Sequence, residues 1–191
     1  MIVAASSVSS SSFRAPRFRR PALRADVRPT DRDLQIFSLF LLHRFLRAPD
    51  IARLIAPDAP ACVGCAGSGK VLDAVRGEEV HHVLCRGTGR QGYKSIFDRI
   101  GLLFSAGYLD RPPYQLDYYR AGGSSRIVYA LANAGARALM RHGKLALQAR
   151  VDFGYRNEHA TKHFIHHALD IADLSVALTM AVRRHKEKIC R

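Results

Sequence analysis

The chain has 191 residues and a formal net charge of +14 at pH 7, with a hydrophobic fraction of 48% and an isoelectric point near 10.3. This length allows one domain with appendages, and this charge favours a polyanionic partner, either nucleic acid or an anionic membrane. No apolar run reaches the roughly 18 residues that a membrane-spanning helix needs, so we expect no membrane association and a cytoplasmic protein.

The first predicted elements are a basic arm and two helices. Residues 1–29 are rich in Ser, Pro and Arg and are expected to be disordered, although an organelle transit peptide has a similar composition. Thr30 with Asp33 indicates a helix N-terminus, and apolar residues continue at helical spacing to Leu46. Pro49 is typical of a first helical turn, so "DIARLI" is predicted to form a second helix.

The elements after the glycine-rich segment 61–90 alternate between helix and strand. A third helix is predicted for residues 93–106, followed by a short strand in "YLDRPP". Residues 114–131 resemble a β-hairpin with its tip at residues 121–125. Asn133 is predicted to cap a fourth helix, and a final helix is expected from about Glu158 to the end.

This order predicts an α+β fold, mainly α, of the winged helix-turn-helix type. The winged-helix domain would span residues 30–142 with an insertion at 61–90, and residues 143–191 would form a linker and the C-terminal helix. In such folds the third helix enters the DNA major groove and the hairpin lies along the backbone. The predicted DNA contacts are Arg90, Lys94, Ser95 and Arg99 at the third helix, and Arg120 and Arg126 on the hairpin. The alternative is that these residues form ordinary solvated faces.

The inserted segment contains an internal repeat. Residues 62–69 are "CVGCAGSG" and residues 82–89 are "HVLCRGTG", so both follow the pattern C/H-x-x-C-x-G-x-G. The first stretch also overlaps a G-x-x-x-x-G-K pattern, but a phosphate-binding loop needs a preceding strand and a Ser or Thr after the Lys. Here "PDAPA" precedes the motif and Val71 follows Lys70, which argues against nucleotide binding.

Each of these two repeats has the pattern of a zinc knuckle with two metal ligands, so the pair supplies four. Together Cys62, Cys65, His82 and Cys85 form a Cys₃His set of the kind that binds one structural Zn²⁺. Four protein ligands leave no coordination position for a reactive water, so we expect a protein that is not an enzyme. The repeat resembles the zinc-binding region of DnaJ-type chaperones, with His82 in place of a cysteine. This likeness implies metal binding only.

Outside the insertion, residues 30–185 resemble the bacterial replication-relaxation family. The resemblance rests on four stretches: "TDRDLQIFSLFLLHRFLRAPDIARLI", "IFDRIGLLFSAGYLDRPP", "VYALANAGARAL" and "FIHHALDIADLSVAL". It implies a bacterial DNA-binding protein of plasmids or other mobile elements, linked to replication or conjugative transfer. Its third helix departs from the basic character usual in the family, because Phe97, Asp98 and Gly101 stand near positions where Arg is common.

These observations favour a double-stranded DNA-binding protein with one structural zinc, acting in replication, transfer or transcriptional control. The alternative is an interaction module that docks a replication or transfer protein through the zinc hairpin and the C-terminal helix. A nuclease or relaxase fragment is a weaker interpretation, because no arrangement of Tyr and His supports it. An apolar stripe on the last helix is either core or the seam of a homodimer. It comprises Leu169, Ala172, Val176 and Met180.

Overall fold

The N-terminal helix begins with the predicted capping box. The structure, a computed structural model, describes residues 18–21, 26–115 and 126–189. Helix α1 spans Asp31–Leu42. The Thr30 hydroxyl accepts a hydrogen bond from the Asp33 N–H, and the Asp33 carboxylate accepts one from the Thr30 N–H. Two otherwise unpaired helix N-terminal donors are thereby satisfied.

Helix α1 does not continue to Leu46, so this part of the prediction is wrong. Residues Phe45–Arg47 form strand β1, which leads directly into helix α2, Ala48–Ile55. Phe45 and Leu46 are both fully buried but belong to different apolar clusters. Successive strand residues point to opposite faces, which explains how neighbouring side chains enter different clusters.

A small three-stranded sheet lies at the centre of the domain. Helix α3 spans Tyr93–Ser105, β4 spans Leu109–Asp110 and β5 spans Val128–Leu131. The strand order is β1-β5-β4, with both pairs antiparallel. Residues Pro113–Gln115 form a 3₁₀ turn and not the start of a hairpin strand, because the Gln115 side chain bonds the backbone of Val128. Arg120 and the predicted tip at residues 121–125 lie outside the described residues.

The insertion forms its own two-stranded sheet. Strand β2, Lys70–Leu72, pairs antiparallel with β3, Glu79–His81. Its small buried cluster comprises Cys62, Cys65 and Cys85, with Val71 packed against it. A hairpin with so little buried apolar surface cannot be stable alone, because isolated two-stranded hairpins are marginal in water.

The C-terminal part contains three helices. Helix α4 is Asn133–Arg141, α5 is Phe153–Glu158 and α6 is Lys162–Ile189. The predicted final helix is present but begins at Lys162 and not at about Glu158, and α5, within the predicted linker, was not expected. The predicted cap of α4 is also wrong: Ala132 occupies the N-cap position, and the Asn133 side chain instead accepts a hydrogen bond from Gly154 N–H.

Helix α6 packs on the domain with the apolar stripe singled out in the sequence. Leu169, Ala172 and Val176 are buried, and Met180 is partly buried against the main core. This stripe is core. By length and composition, Lys162–Arg183 could also cross a membrane, with a mean hydropathy of 1.3, but soluble core helices pass the same test. The absence of membrane association therefore stays a prediction.

The main core joins α1, α2, α3, the sheet, α4 and α6, and the fold is α+β and mainly α, as predicted. The arm predicted to be disordered contributes to it through Arg20. Its guanidinium donates to the carbonyl oxygens of Phe104 and Leu109 and pairs with the Asp110 carboxylate.

Candidate functional site

The two knuckles, residues 62–69 and 82–89, have the same backbone conformation. In each, the N–H of the sixth residue donates to the carbonyl of the first at 3.1 Å. The hydroxyl of the seventh residue donates to the carbonyl of the fourth, at 2.7 Å in the first knuckle and 2.6 Å in the second. The fifth residue, Ala66 or Arg86, has a positive φ in both. The sequence repeat is therefore a repeat of structure.

Reciprocal hydrogen bonds hold the knuckles face to face. The Cys62 N–H donates to the Gly89 carbonyl at 2.8 Å, and the His82 N–H donates to the Gly69 carbonyl at 2.9 Å. Both glycines have positive φ. A Cβ atom on Gly69 would lie 2.4 Å from a carbonyl oxygen of the second knuckle, and one on Gly89 would lie 2.0 Å from a carbonyl oxygen of the first. Only glycine fits at these two positions.

This pairing brings the four predicted ligands together. The ligand atoms of the quartet all lie within 4.8 Å of one another. The quartet comprises Cys62, Cys65, His82 and Cys85. The Cys65 and Cys85 sulfurs are 3.7 Å apart, and His82 Nδ1 lies 3.4 Å from the Cys62 sulfur. A tetrahedral ion with bonds of about 2.3 Å to sulfur and 2.0–2.1 Å to nitrogen has edges of about 3.8 Å and 3.6 Å. The residues therefore fit one tetrahedral metal ion.

The imidazole ring of His82 lies directly over Gly64. A Cβ atom at position 64 would be 2.6 Å from His82 Cε1 and 2.9 Å from Nε2. The glycine thus makes room for a ring that is larger than a cysteine side chain. The adjacent His81 lies in β3 opposite Lys70 and is not part of the quartet. The repeat spacing therefore identified the correct histidine of the pair.

The environment of Cys85 prepares it to act as a metal ligand. Burial opposes ionisation, but hydrogen bonds from the Gly89 N–H, the His82 ring and Cys65 lower the pKa of the Cys85 thiol to about 6. Burial and the neighbouring Cys65 raise the pKa of the Cys62 thiol. Thiolates are the metal-binding form of cysteine, so the lowered pKa of Cys85 favours metal binding near neutral pH.

The insertion, residues 61–90, is called the metal module below, and it is attached to the domain at both ends and by an ion pair. Ala61 and Arg90 form an antiparallel bridge, and the Gln91 N–H donates to the Pro60 carbonyl at 2.9 Å. Arg86, on the second knuckle, donates to the Asp98 carboxylate of α3 at 2.5 Å. The module is therefore docked beside the exposed face of α3.

The exposed face of α3 carries the predicted residues Lys94 and Ser95. The Lys94 ammonium pairs with Asp98 at 2.9 Å, and the Ser95 hydroxyl donates to the Gly92 carbonyl at 2.7 Å. The Asp98 carboxylate thus accepts hydrogen bonds from two cationic side chains, Lys94 and Arg86. These bonds hold the pKa of the Asp98 carboxyl below the usual value. The acidic residue on this face is locally neutralised.

Arg99 makes a contact that the sequence did not predict. Its guanidinium forms two hydrogen bonds with the Asp33 carboxylate, at 2.9 and 2.5 Å, and a third with the Arg28 carbonyl. Asp33 is 1% exposed at its side chain. Burial alone raises its pKa, but bonds from Arg99 and Thr30 outweigh this and hold it below the usual value. The Arg99–Asp33 ion pair therefore joins α3 to α1 and has a structural role.

The remaining predicted contacts lie at the ends of α3 and the sheet. Arg90 precedes α3 and donates to the Ala59 carbonyl at 3.1 Å. Arg126 precedes β5 and is exposed. Both line one cleft between the metal module, α2 and α6. Sequence reasoning missed Arg86, although the difference between Ala66 and Arg86 at matched positions of the repeat was a usable signal.

Residues 76–189 match the sequence profile of the replication-relaxation family, which is more than half of the chain. The chain belongs to this family. The resemblance noted in the sequence is thereby confirmed at the family level, and membership connects the protein with replication or mobile-element functions. The match begins between the two knuckles, so it includes His82 and Cys85 but not Cys62 or Cys65. No curated protein and no solved structure matches the chain significantly.

Proposed function

We propose that this member of the replication-relaxation family is a non-enzymatic winged-helix protein that binds double-stranded DNA and holds one structural Zn²⁺. Its role would be control of replication or transfer of plasmids and other mobile elements. The observation that carries the proposal is the order of elements around α3. Apart from the insertion, α3 follows α2, packs against it, and is followed by the paired strands β4 and β5.

The charges near α3 support DNA as the partner. Lys94 and Ser95 occupy its exposed face, and Arg90 stands at its N-terminal end. Arg126 precedes β5, the strand that would emerge from the wing. Contacts from such residues to phosphate supply affinity, whereas contacts to base edges supply specificity. The formal charge of +14 adds attraction to any duplex at low salt.

Zinc is proposed because the quartet combines three thiols and one imidazole at tetrahedral separations. Sulfur-rich tetrahedral sites are typical of Zn²⁺ or iron–sulfur centres, and mixed Cys/His structural sites are typical of zinc. The metal would fold the insertion, whose buried cluster has little besides the cysteines. A folded insertion would hold Arg86 against Asp98.

Duplex binding by the full chain, measured by fluorescence anisotropy over a salt series, tests the proposed function. The double variant Lys94→Ala/Ser95→Ala should bind more weakly than the wild-type chain. Arg137→Ala/Arg141→Ala is the matched control, because both arginines are exposed on α4. Contacts to DNA phosphates are strongest at low salt. A wild-type chain that binds no duplex at about 50 mM salt would therefore refute DNA binding.

Elemental analysis of the purified chain tests the metal. We expect about one zinc per chain, set by the single four-ligand site. Cys65→Ser should lose most of it, whereas Cys190→Ser, a cysteine outside the described residues, should retain it. Equal zinc content in Cys65→Ser and Cys190→Ser would contradict the assignment.

A second candidate function is docking of a replication or transfer protein through the zinc hairpin. It is favoured by three exposed apolar side chains on the knuckles: Val63 and Val83, at the same position of the repeat, and Leu84. Exposed apolar patches often mark protein interfaces. Val63→Ser/Val83→Ser should impair a partner complex and leave duplex affinity unchanged, whereas a loss of duplex affinity would count against this role.

A further inference from the structure

A cleft of about 920 Å³ lies where the metal module, α2, the start of α3 and α6 meet. It receives one arginine from each of four separate parts of the chain. These are Arg53 of α2, Arg90 after the second knuckle, Arg126 before β5 and Arg183 of α6. Arg90 and Arg126 were predicted from the sequence as DNA contacts, for different reasons, whereas Arg53 and Arg183 were not.

The cleft has an excess of positive charge. Among the described residues that line it, Asp58 is the one carboxylate. Arg53 has only a long pair with Asp50, at 3.9 Å, and Asp50, which also interacts electrostatically with Arg126, is mostly buried beneath the surface. Within the described part of the chain, the four guanidinium groups therefore lack the close ion pairs that neutralise Lys94 and Arg99.

Two of the arginines are held in place by neutral acceptors. Arg90 donates to the Ala59 carbonyl at 3.1 Å, and Arg183 donates to the Leu54 carbonyl at 3.2 Å. A carbonyl fixes the position of a guanidinium without cancelling its charge. Because a guanidinium has five N–H donors, most remain available to a ligand. This arrangement lowers the entropy cost of binding an anion.

The lining indicates the chemical class of that anion. Guanidinium groups match phosphate oxygens in geometry and charge. The aromatic residue of the lining is Tyr93, which is buried and directs its hydroxyl to the Ala56 carbonyl at 3.3 Å. It offers no exposed ring on which a base could stack, which argues against recognition of unpaired bases. A small-molecule pocket would also be more apolar than this one.

We propose that this cleft binds the sugar-phosphate backbone of duplex DNA beside the segment faced by α3, through Arg53 and Arg183 together with Arg90 and Arg126. This inference rests on the proposed duplex binding and adds α2 and α6 to its surface. The cleft borders the N-terminal end of α3, where Arg90 and Tyr93 lie, so a DNA strand leaving α3 at that end would meet these arginines next. Contacts of this type are independent of base sequence.

The slope of log affinity against log salt concentration tests the proposal with the full chain and a random-sequence duplex. Each lost phosphate contact reduces the slope by about 0.9 for B-DNA, so Arg53→Ala/Arg183→Ala should reduce it by about 1.8. The loss of affinity should be equal for duplexes of different sequence. Arg53→Lys/Arg183→Lys, which keeps both charges, should retain most of the slope. Arg137→Ala/Arg141→Ala should leave the slope near the wild-type value.

If loss of the Arg183 bond to α2 disturbs the folding of the double variant, the single variant Arg53→Ala still tests the cleft. Arg53 is exposed and makes only the long Asp50 pair, so this variant should fold and reduce the slope by about 0.9. An unchanged slope in a chain that still binds duplex would overturn the cleft and leave the proposed function standing. Absence of duplex binding by the wild-type chain would overturn both.

Discussion

The close approach of the His82 ring to Gly64 gives a specific prediction about the metal site. In Gly64→Ala the new Cβ atom would lie 2.6 Å from His82 Cε1. Ordinary contacts of this kind begin near 3.4 Å, so the ring must retreat by about 0.8 Å. Metal–ligand distances tolerate only about 0.2 Å, so His82 would lose its bond to the ion or strain the three thiolates.

We expect Gly64→Ala to weaken zinc affinity by about 10–100-fold, the usual effect of disturbing the support of one ligand. The cause can be isolated in a double-mutant cycle with His82→Cys. The cysteine side chain is smaller than the ring and matches the other knuckle, so Gly64→Ala should have little effect in that background. The coupling between the two positions should then be about 1.4–2.7 kcal/mol, which is 10–100-fold converted at about 1.4 kcal/mol per decade.

The assay is competition for zinc between the full chain and a chromophoric chelator near pH 7.5. Gly101→Ala is the matched control, because a Cβ atom there meets nothing within 4 Å. Its zinc affinity should equal that of the wild-type chain. The reasoning is refuted if Gly64→Ala binds zinc normally, or if its penalty is the same in the His82→Cys background.

The ion pairs and the metal module give three further predictions. Asp33→Asn should lower the free energy of unfolding by about 2–4 kcal/mol in urea titrations at pH 7, because it leaves the partly buried Arg99 without its partner, and Arg137→Ala should not. The folded-state pKa of Asp33 is lowered, so its stabilisation is fully present well above the ordinary carboxyl pKa of about 3.9 and is lost as the pH falls through the lowered pKa. The two chains should therefore converge in acid, and a constant difference would contradict the assignment. Asp98→Asn should raise duplex affinity several-fold, up to about tenfold, because it releases Lys94 and Arg86 on the face of α3, and unchanged anisotropy titrations would remove this face from the interface. Removal of metal by a chelator should abolish amide-exchange protection in residues 62–89 and preserve it in α1 and α3, which have a separate core; joint loss would show that the metal supports the whole domain.

The metal quartet was predictable from the sequence because its signal is local. Each knuckle fits within eight residues, and the glycines that the backbone requires are visible as letters. Matching the two stretches then selects His82 over His81 without any knowledge of the fold. What the sequence does not contain is the relation between the knuckles, which depends on hydrogen bonds between residues about 20 apart along the chain, such as Cys62 and His82.

Phe45 and Arg99 show what the sequence could not predict. Phe45 continues the helical spacing of α1, and only its pairing with Ala130, on β5, makes it a strand residue. Arg99 lies on the polar side of α3, and only Asp33, 66 residues earlier, takes its charge. Helical periodicity reports the face of a residue, but it contains no information on a partner from a distant segment.

The distribution of paired and unpaired cations bears on the kind of DNA binding that we propose for this chain. On α3, Arg99 is bound to Asp33 and Lys94 is bound to Asp98, so the centre of the helix offers few free donors to base edges. The cleft at its N-terminal end instead holds arginines that have no close ion pair among the described residues. Since phosphate contacts supply affinity and base contacts supply specificity, we infer salt-dependent binding with little sequence preference. Selection of a particular site would then depend on DNA shape or on a second protein, for which the exposed Val63 and Val83 of the metal module provide a surface.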